Sequence, residues 1–118
     1  MKTIKQLNLN NHLIKNLLRH FEEKKIQVDQ EIVYRGHIPF AGILLLEGQI
    51  VASNTRTTRE FNNGTLIGVK ELMEGNPLRY TIEVKSGSTI MILDRTSLVD
   101  LKEAKDKAAQ EIFLEITA

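Results

Sequence analysis

Turn formers recur at short intervals through the middle of the chain: Gly36, Pro39, Gly42, Gly48, Asn62-Asn63-Gly64, Gly68, Gly75-Asn76-Pro77 and Ser86-Gly87-Ser88. Helices of ordinary length do not fit between them, whereas strands of about five or six residues do. The intervening segments are rich in apolar and β-branched residues: 43–46 running on through 49–52, then 57–61, 79–85 and 89–93. Short strands divided in this way build a sandwich, roll or barrel rather than alternating strand and helix units. One segment breaks the pattern. Residues 70–74 are good helix formers held between Gly68 and Gly75, which predicts a single helical turn embedded in the β region.

Both flanks read as helix. Leu13, Ile14, Leu17, Leu18 and Phe21 fall at helical spacing with Lys15, Asn16, Arg19 and His20 between them, and Asn10 or Asn11 is placed to cap the first turn. The helical region is expected over 10–24, followed by short strands at 26–28 and 31–35. At the other end, Ser97 with Asp100 resembles a capping box. Leu98, Leu101, Ala104, Ala108, Ile112 and Ile116 form a helix-period stripe, so one long helix is expected over 96–116. At 118 residues, with no repeat, linker or low-complexity tract, the whole of 1–118 is expected to be one domain, with its β part over 25–94.

Composition removes several classes of function. Sixteen Lys and Arg against 15 Asp and Glu leave a formal charge of +1, without the basic excess that binding to a phosphate backbone requires. The N-terminal residues Lys2, Lys5, Lys15, Arg19, Lys24 and Lys25 are interrupted by Glu22 and Glu23, as on a solvated helix face. No cysteine is present, which excludes disulfides and thiolate chemistry. No apolar run approaches the ~20 residues of a membrane span, and residues 1–10 lack a signal-like apolar stretch, so a cytoplasmic protein is expected. His12, His20 and His37 are too scattered for a metal centre, and Ser86-Gly87-Ser88 reads as a turn rather than a nucleophile. The expectation is a protein that is not an enzyme and holds no metal.

The order of motifs carries a resemblance. Glu31-Ile32-Val33-Tyr34-Arg35-Gly36, followed by Ile43-Leu44-Leu45-Leu46-Glu47-Gly48-Gln49-Ile50, resembles the front signature of cyclic nucleotide-binding domains, in which turn glycines separate apolar strands. Leu66-Ile67-Gly68, the helical segment 70–74, and Pro77-Leu78-Arg79-Tyr80-Thr81-Ile82 are similar to that family's phosphate-binding cassette. Ile90-Met91-Ile92-Leu93-Asp94 with Leu98 resembles the last strand and the start of the C-terminal helix. The resemblance implies a mainly β fold: a β-roll, or double-stranded jelly roll, with an N-terminal helix, a short cassette helix and a long C-terminal helix.

It also implies a site made of Gly68, Val69, Lys70, Glu71, Leu72, Arg79, Tyr80 and Thr81. There Arg79 would neutralise a cyclic phosphate, Gly68 would admit close backbone approach, and Lys70 to Leu72 would supply amides at the helix start. Two positions depart from the family pattern. Val69 stands where the family carries a glutamate for the ribose hydroxyl, and loss of a charged hydrogen bond of ~1.5–3 kcal/mol costs roughly 10- to 100-fold in affinity. Glu71 could replace it only through a shift of two residues, about 200° around a helix. Tyr80 replaces a small hydroxyl residue, and either packs into the pocket or stacks on a purine. Arg79 is alternatively an ion-pair partner of Glu83 or Glu71.

Two functional expectations follow. One is a stand-alone regulatory or protein-interaction module with weak or no cyclic nucleotide binding, since no residues follow the terminal helix to build a helix-turn-helix. The other is a sensor of a cyclic nucleotide or other small anion through Arg79, signalling through the C-terminal helix. A cyclic nucleotide is the one cofactor-like ligand considered; a protein partner or self-association is expected, with neither nucleic acid nor membrane. Leu101, Ala108, Ile112 and Ile116 form a candidate dimer or relay stripe, broken by Lys105, whose other reading is packing back onto the roll.

Overall fold

The computed structural model describes residues 4–117; Lys2, one of the N-terminal basic residues considered above, lies outside them. In chain order the elements are β1 (Ile4–Gln6), α1 (Asn11–Leu17), β2 (Glu22–Lys25), β3 (Gln30–Val33), β4 (Ala41–Glu47), β5 (Ile50–Ser53), β6 (Thr58–Phe61) and β7 (Thr65–Ile67). They continue with α2 (Val69–Glu74), β8 (Thr81–Val84), β9 (Thr89–Asp94), α3 (Arg95–Glu103) and α4 (Lys107–Thr117). The strands form two antiparallel sheets, one in the order β1-β7-β4-β9-β2 and the other β3-β8-β5-β6. This is the β-roll with accompanying helices that the sequence predicts.

Strand periodicity divides the core into two layers. Ile43 and Leu45 of β4 point between the sheets and join Ile67, Ile90, Val33, Ile50, Ala52, Ile82 and Val84 there. Leu44 points the other way, with Leu66, Met91 and Leu93, into a second layer closed by Leu13, Leu17, Leu72, Leu98, Leu101, Ile112 and Ile116 of the helices. Because both faces of β4 are covered, it reads as a continuous apolar run rather than an alternating one.

Several expectations need correction. The helical region expected over 10–24 stops at Leu17, and Glu22–Lys25 is an edge strand on β9. All four of its residues are exposed, so backbone pairing alone defines it, and its charges keep the edge from pairing further. The strand expected at 26–28 does not form: Ile26 is buried while Val28 is 69% exposed. The long helix expected over 96–116 is two helices, because Ala104 is extended (φ −63°, ψ 140°). Asp106 restarts the chain, its Oδ1 accepting from the Ala108 N–H at 3.1 Å, and the Gln110 side chain donates to the freed Ala104 carbonyl at 3.0 Å. The cap of α3 is Asp94 rather than Ser97, whose own N–H donates to Asp94 Oδ2 at 2.9 Å. Asn10 caps α1 as expected, accepting from the Leu13 N–H at 2.8 Å.

Candidate functional site

The cassette helix forms where its flanking glycines place it. Gly68 at its N-cap has φ 87° and Gly75 at its C-cap has φ 71°, so both ends turn through the left-handed region. The open side of Gly68 is covered: a Cβ there would lie 3.5 Å from Pro39 and from the Ala41 carbonyl. Val69 turns onto β4 and is buried, and Leu72 joins the helix-side core. The Leu72 carbonyl accepts from Arg95 Nη1 at 2.8 Å. Lys70 is exposed. Glu71 is only 5% exposed, and its Oε1 is enclosed without a hydrogen-bond partner.

Arg79 goes elsewhere. Leu78 before it is fully buried between the sheets and Tyr80 after it packs against that same layer, so the side chain between them is left exposed. Backbone bonds lock the segment, with Gly36 N–H donating to the Leu78 carbonyl at 2.8 Å and Leu78 N–H to the His37 carbonyl at 2.9 Å. Arg79 lines an open depression of about 560 Å³ with Arg35, Gly36, the turn 54–56 and Pro77. Gly68, Val69 and Lys70 instead line a separate cavity of about 260 Å³, with Met73 of α2 and Phe113 and Ile116 of α4. The single anion seat expected of Arg79 and the amides of residues 70–72 is therefore divided between two depressions. Nor does Arg79 pair with Glu83 or Glu71, since Glu83 binds Lys85 at 2.7 Å and Arg79 makes no ion pair among the described residues.

The remaining candidates are structural in position. Thr81 opens β8, and its Oγ1 accepts from the Arg35 N–H at 3.1 Å. Tyr80 resolves its two readings toward packing. Of the stripe considered for dimer contact, Leu101, Ile112 and Ile116 are buried in the helix-side core and Ala108 is exposed, with Ala109 in its place inside. The break at Ala104 starts α4 as a separate helix, whose buried face is Ala109, Ile112 and Ile116. Leu101, Ile112 and Ile116 thus pack back onto the roll within the chain.

Arg35 and Arg56 were not singled out as site residues by sequence. Arg35 precedes a turn glycine, and Arg56 sits in a turn organised by Asn54, whose Oδ1 accepts from the N–H groups of Arg56 and Thr57, each at 2.8 Å. Nothing in their spacing signals that the topology brings them beside Arg79. Among the described residues there is no group of three or more His, Asp or Glu able to hold a metal, and no helix long and apolar enough to cross a membrane.

A two-sheet antiparallel roll, with a helical turn before one strand and helices over one sheet, is an arrangement shared with several solved structures. A protein of a cyclic-GMP-dependent signalling pathway regulating bacterial phytopathogenesis matches with TM-score 0.74 and 15% identity, over 93% of this chain and 91% of that one. A cyclic nucleotide-binding domain from Methylobacillus flagellatus matches with TM-score 0.72 and 17% identity, over 96% and 67%. The catabolite activator protein of Thermus thermophilus matches with TM-score 0.68 and 15% identity, over 91% of this chain but 53% of that one. No family model and no curated protein matches the sequence. The fold of this chain is that of cyclic nucleotide-binding domains.

Proposed function

We propose that this chain is a cytoplasmic regulatory module that works through protein contacts and binds cyclic nucleotides weakly or not at all. Arg79 and the start of α2 line different depressions, and that observation supports the reading most strongly. A cyclic phosphate needs charge and amides at one point, because hydrogen-bond strength falls steeply with distance and misalignment. Val69 is turned into the core where the resemblance calls for a ribose acceptor, and aliphatic side chains fill the space between the sheets. Gly68 to Leu72, with Tyr80 and Thr81, then serve the scaffold, and no reaction is assigned to any of them.

The test is calorimetric titration of the full chain with cyclic AMP and with cyclic GMP. No saturable heat is expected from either, and no rise in melting temperature. A ligand at about 100 times its dissociation constant would stabilise the fold by ~2.7 kcal/mol, well within detection. Micromolar binding that disappears in Arg79→Ala would overturn the reading in favour of a nucleotide or small-anion sensor.

A further inference from the structure

Arg35, Arg56 and Arg79 come from three separate segments and line one depression, and no carboxylate shares its lining. None of the three guanidinium groups makes an ion pair or hydrogen bond among the described residues. Like charges gathered on one rim repel each other, and the cost stays uncompensated until an anion arrives. A guanidinium presents a rigid fork of donors that suits carboxylates, so the three together form a recognition surface rather than a diffuse patch.

The backbone holds this surface in place. Arg35 is fixed by its N–H bond to Thr81 Oγ1, Gly36 and His37 by their bonds with Leu78, and Arg56 by the side chain of Asn54. Such anchoring limits the ordering cost of binding. The same loop that supplies Arg35 also exposes large apolar side chains: Tyr34 at 52%, Ile38 at 56% and Phe40 at 62%. This exposure is imposed, because Ile38 and Phe40 alternate with Pro39, which is buried against Gly68, and Ala41, which is buried in β4. Aromatic residues and arginine are the side chains that most often anchor protein interfaces.

We propose that the arginine cup of residues 35, 56 and 79, with Tyr34, Ile38 and Phe40 on its adjoining loop, docks a short acidic segment of a protein partner that carries apolar side chains. The inference rests on the reading of this chain as an interaction module. The depression is too open to enclose a small ligand. The strands leading into it carry exposed Glu31 and Glu60, which would repel a continuous phosphate backbone running beyond the cup. A short acidic segment with apolar neighbours meets the cations and the apolar loop together.

Fluorescence polarisation of the full chain tests this, using a short fluorescein-labelled peptide in which Asp and Glu alternate with Phe and Leu. Labelled oligouridylate and competing tripolyphosphate form the comparison arms. Micromolar peptide binding is expected, weakened by about tenfold or more in Arg35→Glu, Arg56→Glu and Arg79→Glu. Phe40→Ser should weaken it by a similar factor, and Lys107→Glu, an exposed charge reversal that lines no part of the cup, should leave it unchanged. All of these side chains are exposed, and an unchanged melting curve for each variant, with Arg56→Gln as a milder second change, separates binding from folding. Absence of peptide binding, binding indifferent to the arginine variants, or tighter binding of oligouridylate or tripolyphosphate would overturn the proposal. Cyclic nucleotide titration of the same samples keeps the two failures apart. Nucleotide binding that requires Arg79 sinks the interaction-module reading, whereas nucleotide silence with no peptide binding sinks only the cup.

Discussion

Val69 Cγ2 lies 2.6 Å from the point where a Cβ on Gly42 would stand, so the cassette helix rests on β4 through the missing side chain of one glycine. Leu93 closes the same point at 3.3 Å. Gly42→Ala must push α2 off the sheet or displace the Val69 side chain. A loss of about 1–3 kcal/mol in urea unfolding is expected, typical of overpacking a close contact. Unchanged stability would mean that α2 is not seated there.

The same contact bears on the departure from the family pattern at position 69. If Val69 only filled space beside an intact ligand site, Val69→Glu would restore a sugar contact. Val69 is instead buried in the helix-side core and packed against Gly42 of β4, where a longer side chain has no room. The substitution is expected to destabilise the fold by about 1–3 kcal/mol through overpacking against β4 and to yield no cyclic nucleotide binding. Thermal melting and calorimetry on one sample check both statements.

Glu71 presents the opposite case, a polar group whose removal should help. Its Oε1 is enclosed with no hydrogen-bond partner. A buried oxygen left unsatisfied costs about 1–3 kcal/mol, so Glu71→Met, which keeps length and helix propensity, is expected to raise the melting temperature. A lower melting temperature would show that this carboxylate is supported after all.

What could be read in the sequence is what local chemistry decides. Gly68 and Gly75 bracket α2 because each adopts positive φ, and the apolar run 43–46 is β4 because both of its faces are covered. Glu22–Lys25 was unreadable as a strand, having no buried side chain to generate an alternating pattern. The break at Ala104 was hidden because an alanine is the residue least expected to stop a helix; its signal lay in Asp106, two residues on, as a second cap. The position of Arg79 was legible from its distance to Gly68, but its direction was not. That is set by the burial of Leu78 and Tyr80, a tertiary choice, and the meeting of Arg35, Arg56 and Arg79 depends on strand order alone.

Asp29 links the turn before β3 to the turn between β8 and β9, its Oδ1 accepting from the Ser86 N–H at 2.8 Å while Lys85 Nζ stands 3.5 Å from Oδ2. The Ser86 N–H is the main cause holding this carboxyl below its ordinary 3.8, with partial desolvation opposing it and the Lys85 charge assisting. A lowered folded value means that the stabilisation is present above the unfolded value and is lost as pH falls through the folded one. Lys85 runs the other way. The hydrogen bond to Glu83 chiefly holds it above 10.5, so its contribution is present below that pH and is lost as pH rises through the folded value. Asp29→Asn is expected to flatten the acid limb of stability below pH 3.8 and, because Asp29 also helps Glu83 to hold Lys85 raised, to weaken the alkaline limb by a smaller amount. Urea midpoints collected across pH measure it, and an acid limb of unaltered slope would remove Asp29 from the account.

Ile112 separates the two readings of the terminal stripe. A dimer contact would leave it exposed in the single chain, and Ile112→Asp would then lower the sedimenting mass without harming the fold. Here Ile112 is 6% exposed and lies in the helix-side core with Leu101 and Ile116, on a helix that doubles back after Ala104 to pack over α1 and α2. An aspartate at this position loses the transfer energy of a buried aliphatic chain, and it also brings a carboxylate in among apolar neighbours. Together these should cost about 3–5 kcal/mol. The expected outcome is a cooperative unfolding transition at much lower urea, or its loss, with far-ultraviolet ellipticity falling as α4 detaches. The exposed neighbour Ala108 gives the internal contrast, because Ala108→Asp changes a solvent-facing position and should keep the wild-type midpoint to within about 0.5 kcal/mol. If Ile112→Asp instead kept full stability and halved the mass seen in sedimentation, the stripe would belong to an interface between chains and the packing of α4 described above would be wrong.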